Sequence, residues 1–445
     1  MKRLYEPTAY DTKKPVGSWW EDSVAAPLDF STLEGEIETE VAIIGAGFAG
    51  LNAALQLAEQ HDIKATVLEA GQPGWGASGR NGGFCCLGGA KMSVGTQIKR
   101  FGLPETQAHM AFQSAAIEQV QENLGRYGLD VDRHSEGELC LAHSPTAFAG
   151  LQKDAGFDRD QFGITSEIIP KSALNERGID GPQFHGGVLT NAGFALNPLK
   201  YAQGLARAAA SAGATLYGNS PVVHVSKDQG RFLLQTPTGR VRARKLIVAT
   251  NGYSSEDIPE TLAGRFLPLL SSILVTRPIT AEEQAAQGWN SDLMAFDSKH
   301  LLHYFRLMPD GRFLFGQRGA LRATSSGTAG SQAQNRRDFE QMFPAWAGVE
   351  TSHFWSGLLC LTRNLHQFIG PLSSLDGAFA ALGYHGNGVA MASLAGRRVG
   401  DLAAGQKPNL PIIVQRPLKR FPFAPARRAY IQAAYVKYRL QDRFS

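Results

Sequence analysis

The chain reads as an α/β protein, α+β overall, in which a Rossmann-type dinucleotide-binding domain is interleaved with an antiparallel-sheet domain. Three observations predict this. An apolar run, Val41-Ala42-Ile43-Ile44, passes directly into Gly45-Ala46-Gly47-Phe48-Ala49-Gly50 and then into the helix-forming stretch Leu51 to Gln60. Two further apolar runs, at 245–248 and 379–382, also end in glycine turns. Between them, two strand-like segments flank Pro309-Asp310-Gly311, a hairpin signal.

Composition bounds the rest. A chain of 445 residues allows two or three domains. With 43% hydrophobic and 19% charged residues it falls outside the disordered and collagen-like classes, and its formal +4 is too small to argue for nucleic acid as a partner. The four cysteines form no C-x-x-C pair and no metal-ligand spacing, which fits a reducing, cytoplasmic compartment and no metal site. The N-terminus, Met1 to Pro7, lacks the apolar stretch of a secretory signal, and no window approaches ~18 uninterrupted apolar residues.

Each element of the nucleotide domain has a physical reason. Val41 to Ile44 is a buried parallel strand. Gly45 serves the tight turn, Gly47 the close approach of a pyrophosphate, and Gly50 the packing of helix on strand. The helix start brings free N–H groups and a positive dipole end to the phosphates. A second strand, Ala65 to Leu68, ends in Glu69, nineteen residues beyond Gly50, where a carboxylate can accept hydrogen bonds from an adenosine ribose. The loop that follows, Gly74-Trp75-Gly76-Ala77-Ser78-Gly79-Arg80-Asn81-Gly82-Gly83, is rich in small residues that let a backbone lie against a large flat ligand. Such a loop favours FAD over NAD, with Ser78, Arg80 and Asn81 as candidate polar contacts. Arg80 either faces the pyrophosphate or solvates a flexible loop. Cys85 and Cys86 read as packing residues.

Later segments complete the pattern. A helix from Pro198 to Gly213 is started by Asn197 as N-cap, followed by a strand pair around 221–223 and 232–234. Lys245 to Val248 is another buried strand, closing in Ala249-Thr250-Asn251-Gly252. Residues 379–382 form a strand, and a helix starting at Gly388 aims its dipole at an electron-rich ring edge.

The other domain is read from 103–125 as amphipathic helix, 137–142 as strand, and the hairpin 303–316. Strand alternation puts Tyr304 and Arg306 on one face and His303 and Phe305 on the other; the first face either lines the pocket or packs. Thr324 to Gly330 is expected as a mobile loop.

At this point the chain resembles the FAD-dependent D-amino-acid-oxidase-like superfamily, which includes glycine oxidase and sarcosine oxidase. The motifs Ala77-Ser78-Gly79-Arg80-Asn81-Gly82-Gly83 and Gly383-Tyr384-His385-Gly386-Asn387-Gly388-Val389 look like its gamma-glutamylputrescine oxidase branch, with L-pipecolate oxidase as a neighbour. The similarity runs from about Glu40 to about Leu410. It implies a discontinuous FAD-binding domain of residues 36–105, 190–257 and 363–411, a substrate domain of 106–189 and 258–362, and a tail of 412–445. Carried over by position, Gly45, Gly47, Gly50 and Glu69, with Phe48, Ala49 and Ala70, hold the ADP half. Ser78, Arg80, Asn81, Gly82 and Gly83 lie near the pyrophosphate and flavin, Val222 meets the adenine, and Ala249, Thr250 and Gly252 close the strand beside them. Gly386, Asn387, Gly388 and Val389 border the isoalloxazine. The reaction implied is oxidation of a C–N bond of a small amine, with hydride passing to FAD, hydrolysis of the imine, and oxygen giving hydrogen peroxide.

Two positions depart from the family. Leu359 stands where glycine oxidase carries a carboxylate-binding arginine, while Thr362 matches the amine-oxidising branch, and Arg363 would substitute only in a rearranged loop. Cys360 lies near the cysteine that tethers FAD in sarcosine oxidases, but its register is poor, so FAD is expected to be non-covalent. His385 either acts as base for an ammonium substrate or holds the turn by a hydrogen bond; with Tyr304 and Arg306 it completes the candidate catalytic set.

The net charge is a local feature. From Arg416 to Ser445 eight basic residues face one acid, Asp442, so the tail carries +7 and the remainder −3. That tail is expected to strap onto its own acidic body or onto a neighbouring subunit, which would make a homo-oligomer, in preference to anionic lipid.

Overall fold

The computed structural model describes residues 1–444, with Ser445 and the side chains of Arg439, Leu440, Arg443 and Phe444 outside the described set. Strand Gly35–Ile44 is the centre of the first sheet because it is apolar on both faces at its C-terminal half, where Val41 to Ile44 are buried. It pairs in parallel with Thr66–Leu68 on one side and Gly239–Val248 on the other. The sheet continues to Thr215–Tyr217 at one edge and through Ala378–Leu382 to antiparallel Phe368–Pro371 at the other. Ile44 stands level with both Leu68 and Val248, so three parallel strands end together at the point where the chain's winding reverses. Open α/β sheets bind ligands in that crevice.

Val41 and Ile43 face a helical layer made of Phe48–His61, Leu103–Arg126, Pro198–Ser211 and Gly388–Ala403, whereas Ala42 and Ile44 face a layer that includes Phe232, Phe266 and Phe368. Helices Phe48–His61 and Gly388–Ala403 run unusually close. A Cβ on Gly396 would lie 2.3 Å from the Ala49 carbonyl oxygen, and one on Gly50 would lie 1.9 Å from that of Gly45. Helix Leu103–Arg126 buries Phe112, Ala116, Ile117 and Val120 in the same layer, so residues 106–126, expected in the substrate domain, pack with the nucleotide domain.

The second sheet runs in the order Thr351–Thr362, Phe266–Pro278, Arg312–Arg318, Tyr304–Leu307, Met294–Asp297, Glu138–Leu141, Gly186–Thr190, Ser166–Pro170. It is antiparallel except between Met294–Asp297 and Glu138–Leu141. One face carries an aromatic core of Trp289, Phe305, Phe313, Phe315, Phe339, Phe343 and Trp346. The opposite face looks toward the crevice of the first sheet.

The expected hairpin forms, as Tyr304–Leu307 against Arg312–Arg318. Asn197 caps Pro198–Ser211 by accepting from the N–H groups of Leu199 and Lys200, each at 3.2 Å. Two expectations need correction. Pro221 to Val223 only lead into a strand, which spans His224–Asp228 and pairs with Arg231–Gln235. Thr324 to Gly330 is not a mobile loop but the start of helix Ser325–Met342: the Thr324 hydroxyl accepts from Gly327 N–H at 3.1 Å, and Ser331, Asn335, Phe339 and Met342 give the helix a buried stripe.

The basic tail docks on its own chain. Arg427 is fully buried; its guanidinium pairs with Glu256 and donates to the carbonyls of Phe266, at 2.8 Å, and Ala424, at 2.5 Å. Arg428 donates to the Leu4 carbonyl, and Ile431 packs on Leu267 and Leu269. Helix Arg428–Phe444 reaches Asp442, whose carboxylate accepts from the N–H groups of His300 and Leu301. Nearby, His303 is held between Asp297, at 2.7 Å, and Asp338, at 3.6 Å. Burial opposes its charge, but the two carboxylates outweigh burial and lift the imidazolium to about 9.

Replacing Arg427 with Met should cost about 2–3 kcal/mol in unfolding free energy measured with denaturant, whereas Lys437→Ala on the exposed side should stay within about 0.5 kcal/mol. Equal effects would mean that the tail is held by diffuse charge. The raised His303 pKa stabilises the fold fully below the unfolded value near 6.5 and loses that contribution as pH climbs toward 9. The stability gap between wild type and His303→Gln should therefore shrink from pH 6 to pH 9; a gap that widens would contradict the assignment.

Candidate active site

Where strand Gly35–Ile44 ends, Gly45 adopts φ +105°, a left-handed conformation that side chains disfavour, and a Cβ there would stand 3.0 Å from the Ala249 carbonyl oxygen. The turn is pinned by Glu69. Its carboxylate accepts from Ala46 N–H at 2.7 Å and from Gly71 N–H at 3.1 Å, joining the ends of two neighbouring strands. Burial pushes the Glu69 carboxyl above its ordinary pKa, against the pull of these donors. Ser78 accepts from Phe48 N–H at 2.9 Å, which draws the small-residue loop over the helix start.

Between the two sheets lies an elongated cavity of ≈ 410 Å³, within the ~300–1,000 Å³ of small-molecule sites. Gly45, Gly47, Phe48, Ala49, Glu69, Ala70, Val222, Ala249 and Thr250 line its nucleotide-domain end. Ser78, Arg80, Asn81 and Gly82 line its middle, and Tyr384 to Val389 line the part beneath the second sheet. Two helices begin at this cavity, Phe48–His61 and Gly388–Ala403, and neither has a side-chain cap. Ser78 takes the Phe48 N–H, and the remaining first-turn N–H groups and both dipole ends are turned toward whatever fills the cavity. Three buried polar atoms without a protein partner belong to lining residues: Trp75 Nε1, Tyr384 Oη and His385 Nδ1. Helix starts whose N-cap residues supply no side-chain acceptor suit a diphosphate, and orphaned donors and acceptors among the lining residues suit a heteroaromatic ring, so the residues present fit a dinucleotide such as FAD.

The predicted site residues divide. Arg80 is no loop arginine in solvent: it donates to the carbonyls of Trp75, at 2.7 Å, and Ser356, at 3.3 Å, and lies 4.2 Å over the Trp75 ring. Asn81 lines the cavity, but its amide is committed to the loop, donating to the Ala77 and Ser78 carbonyls and accepting from Gly83 N–H. Gly50, Gly83 and Gly252 stand behind the wall rather than in it. Each sits where a Cβ would strike a backbone carbonyl, so they shape the cavity from outside.

The strand face bearing Tyr304 does line the cavity, with Tyr304 Oη 3.3 Å from Ser271 Oγ. Arg306, two residues on, does not reach it. It is fully buried beyond Phe84, donating to the Leu196 carbonyl at 2.9 Å and standing 3.0 Å from His134 Nε2, with its guanidinium over the Trp20 ring. His385 lines the cavity. Its Nε2 lies 3.2 Å from Thr362 Oγ1, its backbone N–H donates to the Cys360 carbonyl, and burial pulls its imidazole down to about 3. Asn387 donates to the Leu87 carbonyl at 2.9 Å. Leu359 lines the cavity and packs against the cluster of Leu267, Leu269 and Ile431, while Arg363 is exposed and donates to the Arg420 carbonyl. Cys360 is buried in the core with Phe266 and Phe368, away from the cavity.

No motif pointed to several lining residues. Lys91, Glu138, Ser271, Phe296, Leu302 and Arg318 reach the cavity from the second sheet and the loop before it, and Met1, Arg3, Tyr10 and Thr12 reach it from the N-terminal segment. Trp20 anchors that segment by donating to the Asn81 carbonyl at 2.9 Å. A polar residue at the head of a strand, such as Glu138, was the only local signal, and it is a weak one.

No described helix is long and apolar enough to cross a membrane. The chain is 28% identical to gamma-glutamylputrescine oxidoreductase of Escherichia coli over 444 residues, covering 96% of this chain and 98% of that protein. It is 29% identical to a probable oxidoreductase, OrdL, of Rhizobium meliloti, covering 97% and 98% respectively. Among solved structures, glycine oxidase from Geobacillus kaustophilus superposes with a TM-score of 0.69 at 22% identity, covering 86% of this chain and 99% of that one, and so shares the fold. Residues 40–402 match the FAD dependent oxidoreductase (DAO) family, and the protein belongs to that family as an FAD-dependent oxidoreductase of amines or amino acids.

Proposed function

We propose that the protein is an oxidase of a C–N bond in a primary or secondary amine, with a substrate like gamma-glutamylputrescine. The observation that carries this reading is that Leu359 lines the same cavity as Tyr304, Phe296 and Leu302 and supplies no arginine fork at its position. FAD, held without a covalent link, would accept a hydride equivalent from the substrate carbon. The amine thereby loses two electrons and two protons to become an imine, water splits the imine into a carbonyl compound and an amine, and oxygen takes up the two electrons and two protons as hydrogen peroxide.

This chain's residues have the following roles in the proposal. Glu69 orients the ribose, the helix start at Gly47 to Ala49 and Arg80 face the diphosphate, and Val222 meets the adenine. Gly386 to Val389 border the ring system, with the second helix start stabilising the charge that gathers there. Tyr304 forms an aromatic wall that keeps water from the reacting carbon. Burial pulls the His385 imidazole down to about 3, too weak a base to take a proton from an ammonium group, so its part is to hold the turn against Thr362. Arg306 supports the wall from behind and does not touch substrate.

A second reading, an imino- or amino-acid oxidase acting on a compound such as L-pipecolate, is favoured by two cations in the cavity, Lys91 and Arg318, which suit a carboxylate. Both readings use the same FAD site, and both compete with a dehydrogenase that passes electrons to an acceptor other than oxygen.

Glu69→Ala leaves Ala46 N–H without its acceptor and should weaken FAD binding about ten- to a hundredfold, read by fluorescence titration of the apoprotein; unchanged affinity would remove Glu69 from the site. For the reaction, the holoenzyme mixed without oxygen with gamma-glutamylputrescine, putrescine and L-pipecolate should lose its visible flavin band with the first. Admission of air should restore the band with stoichiometric hydrogen peroxide. Bleaching by pipecolate alone would select the second reading, and a flavin that stays reduced in air would exclude an oxidase.

A further inference from the structure

Of the buried arginines, Arg427 is answered by Glu256 and Arg397 by Glu59, whereas Arg306 has the Leu196 carbonyl and His134 beside it. The cavity also holds charges without an ionic partner. Lys91, Glu138 and Arg318 all line it, and among the described residues none of the three takes part in an ion pair. Lys91 lines the cavity and is exposed, while Glu138 and Arg318 are half-buried. Desolvation, followed by repulsion from Arg318, pulls the Lys91 ammonium down to about 8. Burial pushes the Glu138 carboxyl up to about 7, against a hydrogen bond from the Cys86 thiol and the attraction of Lys91. Unpaired charges in such surroundings are costly, and a protein that keeps them leaves room for a ligand to supply the partners.

Strand register fixes where they stand. Phe296 pairs with both Tyr304 and Cys140, and Glu138 is two residues before Cys140 on the same face. Tyr304 pairs with Gly316, and Arg318 is two residues beyond, opposite Ser271. Glu138 and Arg318 therefore bracket the aromatic patch of Phe296 and Tyr304 on one sheet face. Lys91 enters from the 86–92 loop, and both Lys91 and Arg318 lie close enough to His385 to act on its charge. The carboxylate and the two cations thus ring the part of the cavity beside the Tyr384–Val389 turn.

We propose that this end of the cavity binds a zwitterionic group of the substrate, its carboxylate between Lys91 and Arg318 and its ammonium at Glu138. The ligand class is an amino acid, or an amine that carries an amino-acid head. This rests on the amine and amino-acid oxidase reading and makes it specific: a plain diamine satisfies Glu138 alone, and a plain carboxylate satisfies only the cations. A guanidinium and an ammonium on either side of one carboxylate give a charge-assisted grip that the apolar Leu359 position does not offer.

The test is a calorimetric titration of FAD-loaded, oxygen-free enzyme with four probes: propionate, putrescine, L-pipecolate and gamma-glutamylputrescine. In wild type the two compounds that carry both charges should bind at least about tenfold more tightly than propionate or putrescine. Lys91→Met and Arg318→Met should each weaken propionate and the zwitterions about tenfold while leaving putrescine unweakened. Glu138→Gln should weaken putrescine and the zwitterions to a similar extent while leaving propionate unweakened. The two cation variants and the carboxylate variant lie on different elements, so a folding failure in one leaves the others decisive. Zwitterion binding unchanged in Glu138→Gln, or propionate binding unchanged in both cation variants, overturns the proposal. If no probe bleaches the flavin in any variant, it is the oxidase reading that fails, while the binding pattern still decides this one.

Discussion

The structure depends on one close contact between two helices. Gly396 lets helix Gly388–Ala403 lie directly on the Ala49 carbonyl of helix Phe48–His61, so two helices from opposite ends of the chain begin side by side at the same cavity. Two positive dipole ends pointing into one space repel each other; neither N-cap residue supplies a side-chain acceptor, and only the Phe48 N–H is taken, by Ser78. A ligand with a diphosphate and an electron-rich ring system relieves both at once. The parallel strands that feed these helices, the Glu69 clasp on the first turn and the Thr362–His385 contact under the second all serve to keep those two starts in place.

Much of this half was legible because it is local. Strand, turn and helix succeed one another within a few residues at 41–60 and again at 378–403, and glycine at positions that admit no Cβ leaves a mark that composition alone reveals. Helix Pro198–Ser211 was legible for the same reason, since Asn197 and Pro198 announce it together. Thr324 misled because seven small residues in a row, four of them hydroxylated, look like a loop, and the buried stripe that makes them helical appears only with Ser331, Asn335, Phe339 and Met342 further on. Helix Leu103–Arg126 packs in the helical layer of the first sheet, a placement its sequence did not announce. Which sheet an amphipathic helix covers is a tertiary fact with no local signature.

The substrate half was read least well, and physics explains why. Sheet pairing brings Glu138, Phe296, Tyr304 and Arg318 to one face from four separate strands, and only the two hairpin strands, those of Tyr304 and Arg318, carried a turn signal that exposed their register. Alternation placed Tyr304 and Arg306 on the same face correctly, but it could not tell that the cavity ends between them. Arg306 instead became a buried strut to the Leu196 carbonyl, which couples the sheet to the loop over the nucleotide end. The division of labour is thus uneven: backbone and glycine build the cofactor end, while side chains far apart in sequence give the other end its charge and its selectivity.

The account's central claim is that two converging helix starts hold FAD with its ring system against the second sheet. A crystal structure of the FAD-loaded enzyme tests this most directly. The account expects the adenosine over Glu69 and Val222, the diphosphate at the start of helix Phe48–His61, and the ring system between the Gly386–Val389 turn and the Tyr304 face. A ring system turned away from that face, or a diphosphate bound at neither helix start, would contradict it.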